Sequence, residues 1–129
     1  MRVKNFGLTF GLQLFKAFSD ESRVRILHLV YQQEEMCITD LVHVLDFTQT
    51  KTSRHLSYLK NAGLVYSKPL DQFVYYRIRN QASDVIEQLF QYMSKDSVLQ
   101  KDIETYEVLY SNRELAVYKI HQKKWQESK

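Results

Sequence analysis

One short segment, TQTKTSRHLSYLKNAGLV at residues 48–65, constrains this chain more than any other. At 100° per residue, Thr52, Leu56 and Leu59 fall on one side of a helix, while Thr50, Ser53, Arg54 and Ser57 point the other way. The first side must face a core. The second is polar, and the segment carries Lys51, Arg54 and Lys60 with no acid to offset them. Thr48 stands where a capping hydroxyl belongs, and Gly63 where a helix commonly ends on a left-handed residue. Leu64-Val65 then opens a β-rich run. The spacing predicts a helix with one wet, basic side that stops abruptly and passes into a strand.

The flanking sequence gives this helix its setting. Residues 6–18 place Phe6, Phe10, Leu14, Phe15 and Phe18 at helical spacing, a wide apolar stripe. Asp20 stands as the cap of a second helix, with Glu21 in its first turn and Val24, Leu27, Val30 and Tyr31 following on one face. After the polar QQEE turn, Met36 to Ile38 is expected to form a short strand. Ile38, Leu41, Val42 and Leu45 then fit a third helix of about two turns. Only Asp46-Phe47 separates it from the segment beginning at Thr48, and two helices joined so tightly predict a helix-turn-helix. Downstream, LVYSK and FVYYRIR are β-rich runs around Pro69-Leu70-Asp71-Gln72, read as a hairpin with a four-residue turn. Val74, Tyr76 and Ile78 alternate with Tyr75, Arg77 and Arg79, so one face is expected to be buried and the other basic. A helix-turn-helix followed directly by a basic hairpin is a winged helix-turn-helix, a mainly α (α+β) fold with a two-stranded wing.

Size and composition narrow the class. The 129 residues suit one compact domain, and 44% hydrophobic with 26% charged residues matches an ordinary globular chain. No apolar run approaches the roughly 20 residues that span a bilayer. Near the N-terminus, Lys16 interrupts the apolar stretch and no small-residue cleavage site follows before Asp20, so an amphipathic helix explains it better than a signal peptide. Cys37 is a lone cysteine, which fits a cytoplasmic protein. The net charge is only +3, but its distribution is uneven. Residues 47–81 hold six basic residues against Asp71 alone, +5, while the remainder, with 12 basic and 14 acidic residues, is −2. A basic segment on a slightly acidic protein is the footprint of a face that meets a polyanion.

At this point SDESRVRILHLV, CITDLVHVLDFTQTKTSRHLSYLKNAGLV and VYYRI together resemble the winged-helix repressors of the ArsR/SmtB family, over about residues 15–93. The most specific part is S-R-H-L-x-x-L-x-x-A-G-L-V at Ser53 to Val65. The resemblance implies a homodimeric, mostly helical, cytoplasmic repressor. Its two fourth helices would enter successive major grooves of a palindromic operator in double-stranded DNA. The expected organisation is a winged helix-turn-helix over residues 1–93 and a C-terminal helical extension over 94–129 that belongs to the same domain and to the dimer interface.

The residues argue for the same chemistry. Gln49, Thr50, Ser53 and Arg54 lie early on the exposed side of the fourth helix, where they are expected to read base edges. Thr48, Lys51, Ser57, Lys60, Lys68 and Arg77 are the expected phosphate contacts. His55 belongs to the matched signature, yet its helical angle brings it near the core side, so a DNA contact and a structural role both stay open. Two departures from the family pattern matter. Asp46 replaces the usual glycine of the turn and must tolerate its backbone, and the wing tip carries Asp71 without the usual Arg and Gly, which argues against minor-groove insertion.

Arsenic-sensing members of the family carry a Cys-Val-Cys pair, where this chain keeps Cys37 but has Thr39. Zinc-sensing members use Asp and His ligands from the fifth helix, and SDVIEQLFQYM has no histidine. No metal site and no cofactor are expected, although Cys37 with His121 of a partner chain stays open. Cys37 is retained as a candidate redox sensor. Beyond Met93, Leu99, Ile103, Tyr106, Leu109 and Tyr110 form a stripe, and Leu115, Val117, Tyr118 and Ile120 continue it towards a basic tail. Phe6, Phe10, Leu14, Leu89, Phe90, Met93, Leu99, Ile103, Tyr106 and Tyr110 are the expected dimer interface. No glycine-rich phosphate loop, nucleophile elbow or paired-carboxylate motif argues for an enzyme. The alternative is a winged-helix dimer that acts as a protein-interaction adaptor with weak or no specific DNA binding.

Overall fold

The computed structural model describes residues 5–120; the basic tail and His121 lie outside the described residues. Six helices and a small sheet form in the order α1 (Leu8–Ala17), α2 (Glu21–Gln33), β1 (Met36–Cys37), α3 (Ile38–Leu45), α4 (Gln49–Asn61), β2 (Val65–Leu70), β3 (Phe73–Ile78), α5 (Asn80–Tyr92) and α6 (Ser97–Ser111). Residues 116–120 are again helical.

Local chemistry accounts for most of these boundaries. The Asp20 carboxylate accepts the backbone amide of Arg23 and caps α2, as its position predicts. Arg23 then folds back, donating through Nη2 to the Lys16 carbonyl at 2.8 Å and through Nε to the Ala17 carbonyl at 3.3 Å, both in the last turn of α1. Phe6, expected inside the first helix, precedes it. Asp46 takes the left-handed backbone that the α3–α4 turn requires, at φ 57° and ψ 40°. Its short polar side chain tolerates that conformation better than most.

The sheet runs β1-β3-β2, antiparallel throughout. Leu70 pairs with Phe73, so the wing closes on the two residues Asp71-Gln72 rather than on the expected four, with Asp71 at φ 55°. Pro69 is tolerated in β2 because that strand is an edge. Because β3 lies between two strands, the expected alternation fails at its middle. Tyr75, assigned to the wet face, sits opposite Cys37 and is buried, as is Tyr76, whereas Val74 is exposed.

The core gathers Leu27, Leu29, Leu41, Leu56, Leu59, Leu64 and Ile86, each fully buried. Leu115, Val117 and Ile120 join it from the C-terminal segment as members of the same hydrophobic cluster. Two polar ties fasten it. The Arg25 guanidinium of α2 donates to both carboxylate oxygens of Asp102 on α6, each at 2.9 Å. Asp40 of α3, 1% exposed, accepts the amides of Ala116 and Val117 at 2.7 and 2.9 Å, capping the last helix from across the chain.

Candidate nucleic-acid interface

The candidate interface is built on α4. The Thr48 hydroxyl oxygen accepts the amide of Lys51 at 3.1 Å, and the Thr48 carbonyl accepts the buried Thr52 hydroxyl at 2.9 Å. This double closure sets the first turn, and the unpaired N–H groups there point outward with their partial positive charge. Thr52, Leu56 and Leu59 anchor the inner side, as their spacing predicts. Gln49, Thr50 and Arg54 are exposed on the outer side and Ser53 is half-buried beside them. Among the described residues Arg54 has neither a hydrogen bond nor an ion pair, so its guanidinium is free to meet a base edge.

The expected phosphate contacts divide into several kinds. Thr48, Ser57 and Lys68 are exposed, and the Thr48 hydroxyl keeps a proton to donate. Lys51 holds its ammonium 4.1 Å from the centre of the Phe47 ring, which fixes its direction beside the turn. Lys60 donates to the Ser67 hydroxyl at 2.9 Å and so ties the end of α4 to the wing. Arg77 departs from expectation. Its guanidinium is paired with the Glu35 carboxylate at 2.9 Å, which neutralises that part of the wing because Glu35, distant in sequence, is carried beside it by the β1–β3 pairing.

His55 is buried, which places it with the packing side chains. Burial holds its pKa below the usual 6.5; the charge of Asp20 works against this, while Arg23, Arg54 and Lys51 reinforce it. Cys37 lacks the properties of a redox-sensing thiol. It is 1% exposed, and burial, aided by Asp40, pushes its pKa up to about 12, the reverse of what a reactive thiolate needs. Among the described residues no group of three or more His, Cys, Asp or Glu side chains is arranged to hold a metal ion.

The expected dimer surface is also redrawn. Leu14, Phe90, Leu99 and Tyr106 are buried in the chain's own core, which leaves them little surface for a partner. Phe10, Leu89, Met93, Ile103 and Tyr110 are half-buried. Phe6 is exposed, and α1 turns Leu8 (78% exposed), Leu12 and Phe15 (67%) outward at i, i+4 and i+7, a stripe of three residues that are all absent from the expected set. Leu8 and Leu12 lie opposite Phe10, Leu14 and Phe18 on α1, and Phe15, placed with those residues by its spacing, shares the outward side instead. Asp40, Arg25 and Asp102 carry no local sequence signal, because their partners lie 76 or 77 residues away.

This geometry is shared with known proteins. A sequence profile described as bacterial regulatory protein, arsR family, matches residues 20–67. The arsenic resistance transcriptional regulator ArsR2 of Pseudomonas putida is 33% identical over 78 residues, 60% of this chain and 68% of that protein. The chain belongs to the ArsR family. Another relative, the cadmium resistance transcriptional regulatory protein CadC of Listeria innocua, is 35% identical over 79 residues, 61% of this chain and 66% of its own. The matched part of the ArsR-family chain spans about half to two thirds of the curated relatives it resembles. The homodimeric winged helix-turn-helix DNA-binding domain Mb0332 of Mycobacterium bovis superimposes with a TM-score of 0.60 at 25% identity, covering 70% of this chain and 83% of that one. The ArsR profile ends at Ser67, inside β2, so β3, α5 and α6 lie outside it.

Proposed function

We propose that this protein is a sequence-specific DNA-binding transcriptional regulator, a repressor that binds a palindromic operator as a homodimer in the cytoplasm. It has no catalytic role in this reading. The observation that carries it is the outer side of α4, where Gln49, Thr50, Ser53 and the unpaired Arg54 stand together on a segment without acids. Such groups match major-groove base edges, with Arg54 suited to the paired acceptors of guanine. Lys51, Lys60 and Lys68 flank them as phosphate contacts, helped by Thr48 and Ser57. With Arg77 held by Glu35 and Asp71 at the wing tip, the wing contributes little beyond Lys68. The outward α1 stripe supplies apolar surface for the second protomer.

The direct test is binding of the full chain to duplex DNA from its own gene's upstream region, against random duplex, across a salt series. The expected result is a preference for one inverted repeat, with half-sites about one helical turn apart, and a steeply negative slope of log affinity against log salt. Weak, salt-insensitive or sequence-blind binding would overturn the reading and favour a protein-interaction adaptor.

A further inference from the structure

The outer side of α4 carries one aromatic ring. Tyr58, a turn beyond Arg54, is 38% exposed, whereas the other large apolar side chains of this helix, Leu56 and Leu59, are fully buried. At 100° per residue it lies about 40° round the helix from Arg54, on the same flank as Lys51 and well away from the Thr52-Leu56-Leu59 side. Packing makes no use of its hydroxyl. Among the described residues that hydroxyl has no hydrogen bond, and the side chain's named contact is with Arg23 of α2.

The contact with Arg23 fixes where the ring stands. The guanidinium lies over it, 4.1 Å from its centre. Arg23 is itself anchored, since Nη2 donates to the Lys16 carbonyl at 2.8 Å, Nε donates to the Ala17 carbonyl at 3.3 Å, and the Asp20 carboxylate stands 3.8 Å from Nη1. A guanidinium held from three sides holds the ring that rests on it. Tyrosine has few torsions to order, so a ring fixed in this way presents its O–H with little conformational entropy left to lose on contact. The same anchors commit Arg23 to Asp20 and to the carbonyl end of α1, so it is not free to meet a phosphate. What this rim of α4 offers beside Lys51 is a neutral donor.

We propose that Tyr58 is a further DNA contact of α4, donating its hydroxyl to a backbone phosphate at the rim of the groove, and that Arg23 is the residue that positions it. The proposal rests on the DNA-binding reading and adds to it a contact of a different kind. A lysine on a phosphate displaces counterions and a phenol does not, so the Tyr58 contact contributes affinity without contributing to the salt dependence. Lying on the backbone, it carries no base preference.

The test is binding of the full chain to operator and random duplex across a salt series, for the parent, Tyr58→Phe, Arg23→Lys and the double variant. Tyr58→Phe keeps the ring and its stack on Arg23 and removes only the O–H, so its thermal midpoint should match the parent's. Expected is a loss on the order of three- to tenfold on both duplexes, the size of one hydrogen bond, with the slope of log affinity against log salt unchanged. Lys60→Ala, by contrast, should make that slope shallower by about one. Arg23→Lys keeps the charge but not the planar fork, and should weaken binding as much as Tyr58→Phe does, with no further loss in the double variant. Parental affinity in Tyr58→Phe would overturn the contact, and a full additional loss in the double variant would overturn the positioning role of Arg23. A parent that binds no duplex would be a failure of the DNA-binding reading itself, whereas a selective, salt-sensitive parent with an indifferent Tyr58→Phe would sink this proposal alone.

Discussion

At the scale of single residues, roles follow from what each side chain is already doing. Arg54 is unengaged, whereas Lys60 is held by Ser67 at 2.9 Å at the C-terminal end of α4. Arg54→Ala is therefore expected to cost about 1–3 kcal/mol on the operator and to relax base preference, while Lys60→Ala weakens operator and random duplex alike. Competition binding on both duplexes checks this, and equal losses on both for Arg54→Ala would reassign it. Gly63 makes a different kind of prediction. Its φ of 81° lies in the left-handed region, but an added Cβ would meet only ordinary contacts at 3.5 Å from Gln81 and Phe10. The cost of Gly63→Ala is thus conformational, about 1–2 kcal/mol, and appears as a lower urea midpoint with unchanged slope. An unchanged midpoint would mean that the turn relaxes.

At the scale of elements, the C-terminal helix is positioned by a cap that comes from α3. Asp40 covers the amides of Ala116 and Val117, while Leu115, Val117 and Ile120 bury the adjoining apolar surface. Removing the carboxylate leaves two enclosed N–H groups without partners, at about 1–3 kcal/mol for each. Asp40→Ala is expected to lower the thermal midpoint and to speed tryptic cleavage at exposed Arg113, in the connection before this helix; Asp40→Asn, which keeps one acceptor oxygen, should fall between. Equal cleavage of Asp40→Ala and the parent would show that apolar packing alone holds the segment. This connection ties residues 116 and 117 to α3 within the shared hydrophobic cluster.

At the scale of the whole molecule, two behaviours follow. The α1 stripe of Leu8, Leu12 and Phe15 is too apolar to face water, so Phe15→Glu is expected to convert dimer to monomer in sedimentation equilibrium and to weaken operator binding. A monomeric parent protein would contradict this. His28 and His55 are both held neutral, mainly by burial, with pKa values below the 6.5 of an unfolded chain. As pH falls through 6.5 the unfolded state takes up protons first, so stability is full above that pH and declines below it. His28→Gln should flatten the fall in urea midpoint between pH 7.5 and 5.5, and an unaltered profile would refute the assignment. The sequence by itself determined the helix-turn-helix, because its signals are local: the Thr48 cap, the Thr52-Leu56-Leu59 spacing, Gly63 and the β-branched and aromatic runs of the wing. The same local rules marked Gln49, Thr50, Ser53 and Arg54 as outward. Only the tertiary structure decided that Tyr75 is buried, that Glu35 neutralises Arg77, that Leu14, Phe90, Leu99 and Tyr106 serve the chain's own core, and that Asp40 caps the final helix. Each of those outcomes depends on which distant element lies alongside, and the energy of such a contact is set by mutual burial and hydrogen-bond geometry across the fold, which periodicity along one helix or strand does not encode.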